Sequence, residues 1–218
     1  MATRPVFFPT PRGHRLVDVR SYDFAWHGGF ALAQRRKNIA GLHGAAARAG
    51  ALLEVSRASP VALGVELSAF NLKVDVAGLG PVPLECVFQG AKVFSKGGPF
   101  SDLFAAAPAE AKKDPRLGAS GPLVRFELQG DPWPLEPKTA FYDWLYLRAV
   151  QPLTGVVQSL ASFDGFTDIA FNPARSINCQ ARSCALLVAL ARRGQLEAAL
   201  RSKESFLAVL SASAGAGV

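Results

Sequence analysis

The chain has 218 residues, half of them hydrophobic, with 24 Lys and Arg against 17 Asp and Glu for a net charge of +7. That suits one large domain or two small ones with a sizeable core, and the absence of any run of about 18 apolar residues argues against a membrane span. The basic balance attracts polyanions without specifying nucleic acid. The cations fall in short scattered groups, such as Arg35-Arg36-Lys37 and Lys112-Lys113, that also read as solvated helix faces.

The opening residues, Met-Ala-Thr-Arg-Pro-Val-Phe-Phe-Pro, carry no apolar signal core before a small-residue cleavage site. Residues 16–26 alternate loosely through Val17, Val19, Tyr22, Phe24 and Trp26 and predict a strand, broken by Gly28-Gly29. Residues 30–49 predict a helix, with Phe30, Leu32, Ile39 and Leu42 apolar and Gly50 at its end. Short strands are expected at 52–56 and, as two pieces around Gly78-Leu79-Gly80, within 72–84. A helix over about 84–95 stops at Gly97-Gly98-Pro99, one or two short helices fall in 100–113, and residues 123–128 alternate as a strand. The segment from Asp131 to Pro137 holds three prolines and reads as a rigid connector, since proline fixes φ and lacks an N–H. Helices follow at 137–150, at 152–162, at about 176–193 with Ser176 as N-cap and Gly194 as stop, and at about 195–211, with 211–218 as a frayed tail. With no internal repeat and no long linker, residues 1–218 read as a single domain. Its predicted class is mainly α (α+β), with a few short antiparallel strands.

Several chemistries are missing. His14, His27 and His43 lie far apart without metal-ligand spacing, so no metal site is expected. No G-x-S-x-G, G-x-x-x-x-G-K-[ST] or G-x-G-x-x-G motif is present, which lowers the weight of a serine hydrolase, a nucleotide triphosphatase or a Rossmann enzyme. Cys86, Cys179 and Cys184 are odd in number and lack C-x-x-C spacing, which fits reduced thiols in a cytoplasm. Glu85 beside Cys86 would raise the thiol pKa, so Cys86 reads as a small packing residue.

The most informative run is Leu84 to Phe94. On a helix, Glu85, Phe88, Gln89 and Lys92 share one face. A carboxylate, an aromatic, an amide and an amine make an odd core stripe but a good floor for a polar ligand pocket. A half-exposed Glu–Lys ion pair explains the same spacing. Two more stretches are polar where a core would be the easy choice: Leu67-Ser68-Ala69-Phe70-Asn71, and residues 163–180. The second feeds a helix N-terminus, where free amides with Arg175 and Asn178 offer a seat for phosphate. Ordinary capping by Asn172 and Ser176 is the competing explanation there.

Together these stretches resemble the NADAR superfamily, also called YbiA-like. The resemblance rests on E-x-x-F-Q-x-x-K at Glu85, Phe88, Gln89 and Lys92, on Leu67-Ser68-Ala69-Phe70 before it, and on Asp168 with Ser-Ile-Asn178 after it. The runs Phe-Gln-Gly-Ala-Lys-Val-Phe, Trp-Pro-Leu-Glu-Pro-Lys-Thr-Ala-Phe-Tyr-Asp-Trp-Leu-Tyr and Phe-Thr-Asp-Ile-Ala-Phe-Asn-Pro-Ala-Arg-Ser-Ile-Asn-Cys-Gln-Ala-Arg-Ser look like the branch encoded beside DarT-type ADP-ribosyltransferase toxins. The likeness covers about residues 4–195. Three positions depart from the wider family: Ala69 where an Asn is usual, Cys86 where a His is frequent, and Phe166-Thr167-Asp168-Ile169 where Trp-Gly-Asp-Gly is usual. All three match the toxin-linked branch, and they argue against activity on riboflavin-pathway intermediates.

The resemblance implies a mainly helical fold and an N-glycosidase that removes ADP-ribose from guanine bases of DNA or RNA as antitoxin to a DarT-type toxin. It implies no cofactor and no membrane partner. Glu85 matches the family's acidic catalytic position, Gln89 and Lys92 the polar positions one and two turns on, and Asp168 and Asn178 the last motif; Glu85, Lys92 and Asp168 are the expected catalytic residues, and Ser68, Phe70, Asn71, Phe88, Gln89, Phe166, Arg175 and Asn178 the expected ADP-ribose contacts. Glu85 would stabilise positive charge on the ribose or act as general acid–base. Lys92 would form a Schiff base with opened ribose, or bind phosphate as a cation. Phe70 or Phe166 would stack on a base, with core packing as the competing role for each. A non-catalytic ADP-ribose-binding module and an antitoxin acting by direct contact are the alternative readings.

Overall fold

The structure, a computed structural model, describes residues 1–214. Strands β1 (Ala2–Pro9) and β2 (Val17–Phe24) precede helix α1 (Leu32–Ala45), a single 3₁₀ turn (Ala47–Ala49) and β3 (Leu52–Glu54). Next come α2 (Ala62–Glu66), β4 (Lys73–Val76), β5 (Gly80–Pro83), α3 (Leu84–Gly90) and β6 (Lys92–Phe94). A 3₁₀ turn (Ser101–Ala105), α4 (Pro108–Ala111), α5 (Arg116–Ala119), β7 (Leu123–Leu128) and β8 (Asp131–Trp133) follow. The chain continues through α6 (Ala140–Val150), α7 (Val156–Leu160), β9 (Gly165–Thr167), α8 (Gln180–Arg192), α9 (Leu196–Ala199) and α10 (Lys203–Ala214).

The expectation of a mainly helical protein is overturned: about 40% of the chain is helix and 20% is strand, a mixed α/β fold. The strands that sequence reading passes over have physical disguises. In β1, Val6, Phe7 and Phe8 are buried on both faces, so the strand does not alternate. Strand β8 runs through Pro132 inside the expected connector. Strands β6 and β9 are three residues each, too short to show a period.

The main sheet has the order β2-β1-β9-β3. β1 is antiparallel to β2 and β9, whereas β3 runs parallel to β9, with Leu53 opposite Phe166 and Glu54 opposite Thr167. Alternation across β1 sorts the two cores. Phe7 joins the large cluster under α6 and α8, while Val6 and Phe8 turn to the other face with Phe24, Ile39, Leu42 and Ile169 beneath α1. Helix α8 is buried nearly all round, from Ala181 to Leu190, as a helix enclosed by protein must be. Each fully buried Leu in it contributes about 1.5–3 kcal/mol. A β4-β5 hairpin and a β6-β7-β8 sheet flank this core.

The predicted 84–95 helix ends early. Helix α3 stops at Gly90, whose carbonyl accepts the Phe100 N–H at 2.7 Å. The Ala91 carbonyl accepts from Glu127 at 2.7 Å, and Lys92 pairs with Phe126 of β7. Tertiary hydrogen bonds thus recruit the groups that would have continued the helix. The frayed tail expected over 211–218 begins as helix, since α10 runs to Ala214; residues 215–218 lie outside the described residues.

Candidate functional site

Helix α3 is buried along its whole length, Glu85 and Gln89 included. One turn apart, they meet: Gln89 Nε2 donates to Glu85 Oε1 at 2.9 Å. Lys92 lies beyond the helix end, yet its side chain turns back and Nζ donates to Gln89 Oε1 at 2.6 Å. Gln89 can adopt only this orientation, since a flipped amide would face N–H to ammonium and oxygen to carboxylate. Lys92 Nζ also stands 4.8 Å from the Phe88 ring centroid. Phe88 itself is buried against Phe126, Phe141 and Tyr142, so it supports Lys92 from within the core. Burial lowers the Lys92 pKa to about 8 against the opposing pull of Glu85, and the Lys112 charge lowers it further.

The strand carrying Lys92 is held by a close approach. Gly98 has φ +89°, and a Cβ there would stand 2.2 Å from the Lys92 carbonyl oxygen. Gly98→Ala is therefore expected to cost about 2–4 kcal/mol through backbone strain and the clash. Its urea midpoint reads this out, and an unshifted midpoint would mean that β6 yields freely.

The first polar stretch forms the turn after α2. Ser68 is buried, and its carbonyl accepts the N–H groups of Asn71 and Leu72. Ala69 joins all three motifs through its backbone. Its carbonyl accepts the Glu85 N–H at 3.3 Å, and its N–H donates to Gln180 Oε1 at 2.7 Å. Gln180 Nε2 in turn donates to Asp168 Oδ2 at 3.0 Å. Phe70 is half-buried, with Arg57 4.7 Å and Lys112 5.4 Å from its centroid. Lys112 Nζ is 3.6 Å from Glu85 Oε1.

Other expected contacts stand apart from this group. Asn71 is exposed and donates to the Val65 carbonyl at 2.7 Å, beside a groove lined by Lys73 and Arg148. Phe166 is 0% exposed and has no surface to offer a base. Arg175 is exposed and Asn178 half-buried in the loop before α8. Ser176 does not cap that helix: its hydroxyl donates to the Asn178 carbonyl, and the N-cap is Cys179, with no side-chain hydrogen bond to the first turn. Cys86 is fully buried, as a packing residue should be.

Sequence reasoning missed Glu54, Lys112, Arg57, Tyr142 and Gln180. Glu54 lies beneath Asp168 at the end of β3, where it accepts from Ser56 Oγ, Thr167 Oγ1 and the Ile169 N–H at 2.7, 2.6 and 2.9 Å. Burial, then the Asp168 charge, pushes Glu54 up to about 8, while burial pushes Asp168 up to about 6. His43 Nε2 sits 2.8 Å from the same Thr167 hydroxyl, and burial lowers its pKa. Tyr142 packs edge-on to Phe88, and burial followed by the Glu85 charge keeps its phenol protonated. An acid in the apolar run Leu52-Leu53-Glu54-Val55 is the one legible signal among these. Among the described residues, no group of three or more His, Cys, Asp and Glu is placed to hold a metal ion, and no helix is long and apolar enough to cross a membrane.

These features define a mixed α/β protein with a group of polar and charged side chains, Glu85, Gln89, Lys92, Gln180 and Asp168, set against an aromatic core. The chain belongs to the DarT1-associated NADAR antitoxin family, whose family model matches residues 2–216. The family assigns it the role of antitoxin to a DarT toxin. Comparison with curated proteins gave no match.

Proposed function

We propose that the protein neutralises its toxin as an N-glycosidase, releasing ADP-ribose from guanine bases of nucleic acid. The observation that carries this reading is the Glu85–Gln89–Lys92 relay, in which a half-buried amine of lowered pKa hangs one amide away from a buried carboxylate. A pKa near 8 leaves about a tenth of Lys92 as the neutral amine at pH 7, far more than an ordinary lysine.

The reaction runs in balanced steps. A proton relayed through Glu85 reaches the ribose ring oxygen as its bond to C1 breaks, and the guanine nitrogen pair forms a C1–nitrogen iminium. Neutral Lys92 adds its pair to C1. The guanine nitrogen then takes a proton and leaves with its bonding pair, so the iminium now joins C1 to Lys92. Water adds at C1, the bond to Lys92 breaks, and the opened sugar recloses as free ADP-ribose. Glu85 and ionised Asp168 offset the positive charge carried at C1. Ser68, Phe70 and Asn178 contact the ligand, and the uncapped amides of α8 face its phosphates.

Borohydride added during turnover of an oligonucleotide bearing ADP-ribosylated guanine should trap a reduced adduct, mapped to Lys92 by peptide mass. Trapping and release should both rise with pH through about 8, as the amine loses its proton. Release without an adduct would remove the Schiff base. No release by folded protein would remove the glycosidase.

A further inference from the structure

We infer that Arg57 and Lys112, sharing the ring of Phe70, form a clamp for a diphosphate beside the Glu85–Gln89–Lys92 group. This rests on the reading of the site as one for an ADP-ribosyl group and names the side chains that take its diphosphate. Both cations lie within reach of one aromatic face or edge, at 4.7 and 5.4 Å from its centroid. Arg57 makes no hydrogen bond or ion pair among the described residues beyond that stacking. Lys112 stands 3.6 Å from Glu85, beyond hydrogen-bond reach, and its charge also acts on Asp168, so the site's carboxylates match it in part. Three arginines are by contrast held by the protein itself: Arg116 by Asp102 and Asp114, Arg182 by Asp143, Arg193 by the carbonyls of residues 10–15. Two like charges share one aromatic ring, and Arg57 has no acceptor of its own, so the pair can take an anion supplied from outside.

The charges admit an anion. Lys92, Lys112 and Arg57 contribute three positive charges against Glu85 and Asp168, a net of one, while Glu54 is held largely neutral beneath them. The neighbouring residue, Ala69, is bonded to Gln180, the first residue of the 13-residue helix α8. The turn that carries Phe70 is thus tied to the start of that helix, whose dipole favours an anion nearby. The two phosphoryl groups of a diphosphate can each meet one of the two cations on the ring, whereas a lone carboxylate offers a single centre to both.

Calorimetric titration of wild type and Arg57→Gln with ADP-ribose, with adenosine and with an unmodified single-stranded oligonucleotide tests the clamp. Arg57 is exposed and makes no hydrogen bond or ion pair among the described residues, so circular dichroism should be unchanged. ADP-ribose binding should weaken by about tenfold or more, the effect of losing a charge-assisted hydrogen bond, with adenosine binding unmoved. Arg57→Lys should restore part of the loss. Equal ADP-ribose affinity in the two proteins, no ADP-ribose binding by wild type, or a loss confined to the oligonucleotide would each overturn the clamp. Because free ADP-ribose is not turned over, a weakened variant beside an inactive wild type would sink the glycosidase and keep the clamp. Normal turnover with unchanged affinity would do the reverse.

Discussion

Glu85→Gln should slow ADP-ribose release from ADP-ribosylated guanine by roughly 10²–10⁴-fold, the range for a lost acid–base group, without unfolding the protein. Glu85 is 4% exposed and its best partner is the Gln89 amide, whose N–H the carbonyl of the introduced amide can still accept. The contact removed is the 3.6 Å approach of Lys112, whose side chain is 57% exposed, and pairs of that kind contribute about 0–1 kcal/mol. The variant has a second signature. The Glu85 carboxylate holds the Lys92 pKa up against burial, so removing that charge lets it fall below about 8. The neutral amine then appears at lower pH, and the rising limb of the pH–rate profile should move toward acid. Single-turnover release measured between about pH 6 and 9 reads both effects. Wild-type turnover in the variant would remove Glu85 as the acid–base group. A slow variant with an unmoved limb would keep that role and break the link to Lys92.

The sequence makes this carboxylate conspicuous for a reason that does not depend on the fold. Glu85 and Gln89 are one helical turn apart inside an otherwise apolar run, and helix α3 does place them together. Lys92 is more instructive. Periodicity assigns it to the second turn of the same face, but the helix ends at Gly90 because Phe100 and Glu127 claim the Gly90 and Ala91 carbonyls. The amine nevertheless arrives at Gln89 by folding back from β6. Claims of that kind come from residues ten and more positions away and leave no trace in a local pattern. The cations behave likewise. Arg57, after β3, and Lys112, after α4, share one ring only because loops from both regions close over Phe70. The overcount of helix has the same root, since a strand as short as β9 owes its form to β1 and β3 on either side. Asn71 and Phe166 show the opposite case. Each has the right residue type in a suggestive stretch, and each is engaged elsewhere, Asn71 with its own turn and Phe166 in the core.

The largest loss of stability is expected from Asp143→Ala, and it bears on the site from behind. Asp143 is 1% exposed on α6 and accepts from three directions: Arg182 at 2.5 Å and Thr139 Oγ1 at 2.7 Å on one oxygen, Ser183 Oγ at 2.6 Å on the other. Arg182 and Ser183 belong to the first turn of α8, so this carboxylate ties the start of α8 to the start of α6. The Arg182 side chain is 29% exposed, and water cannot fully replace the lost partner. Removing one member of such a buried pair costs about 3–5 kcal/mol, chiefly because the other charge is left uncompensated. That is a large share of the roughly 5–15 kcal/mol that holds a domain folded. The mechanism makes a further demand: Arg182→Met in the Asp143→Ala background should recover part of the loss, since it removes the stranded charge. Urea unfolding of the two single variants and the double variant closes the cycle. A cost below about 1 kcal/mol for Asp143→Ala, or no recovery in the double variant, would mean that the pair is solvated and contributes little to the fold. Recovery of stability without recovery of ADP-ribose binding is the expected pattern. The Gln180 amide and the free N–H groups of α8 depend on where that helix begins, and the introduced methionine would restore packing without restoring the tie that sets it.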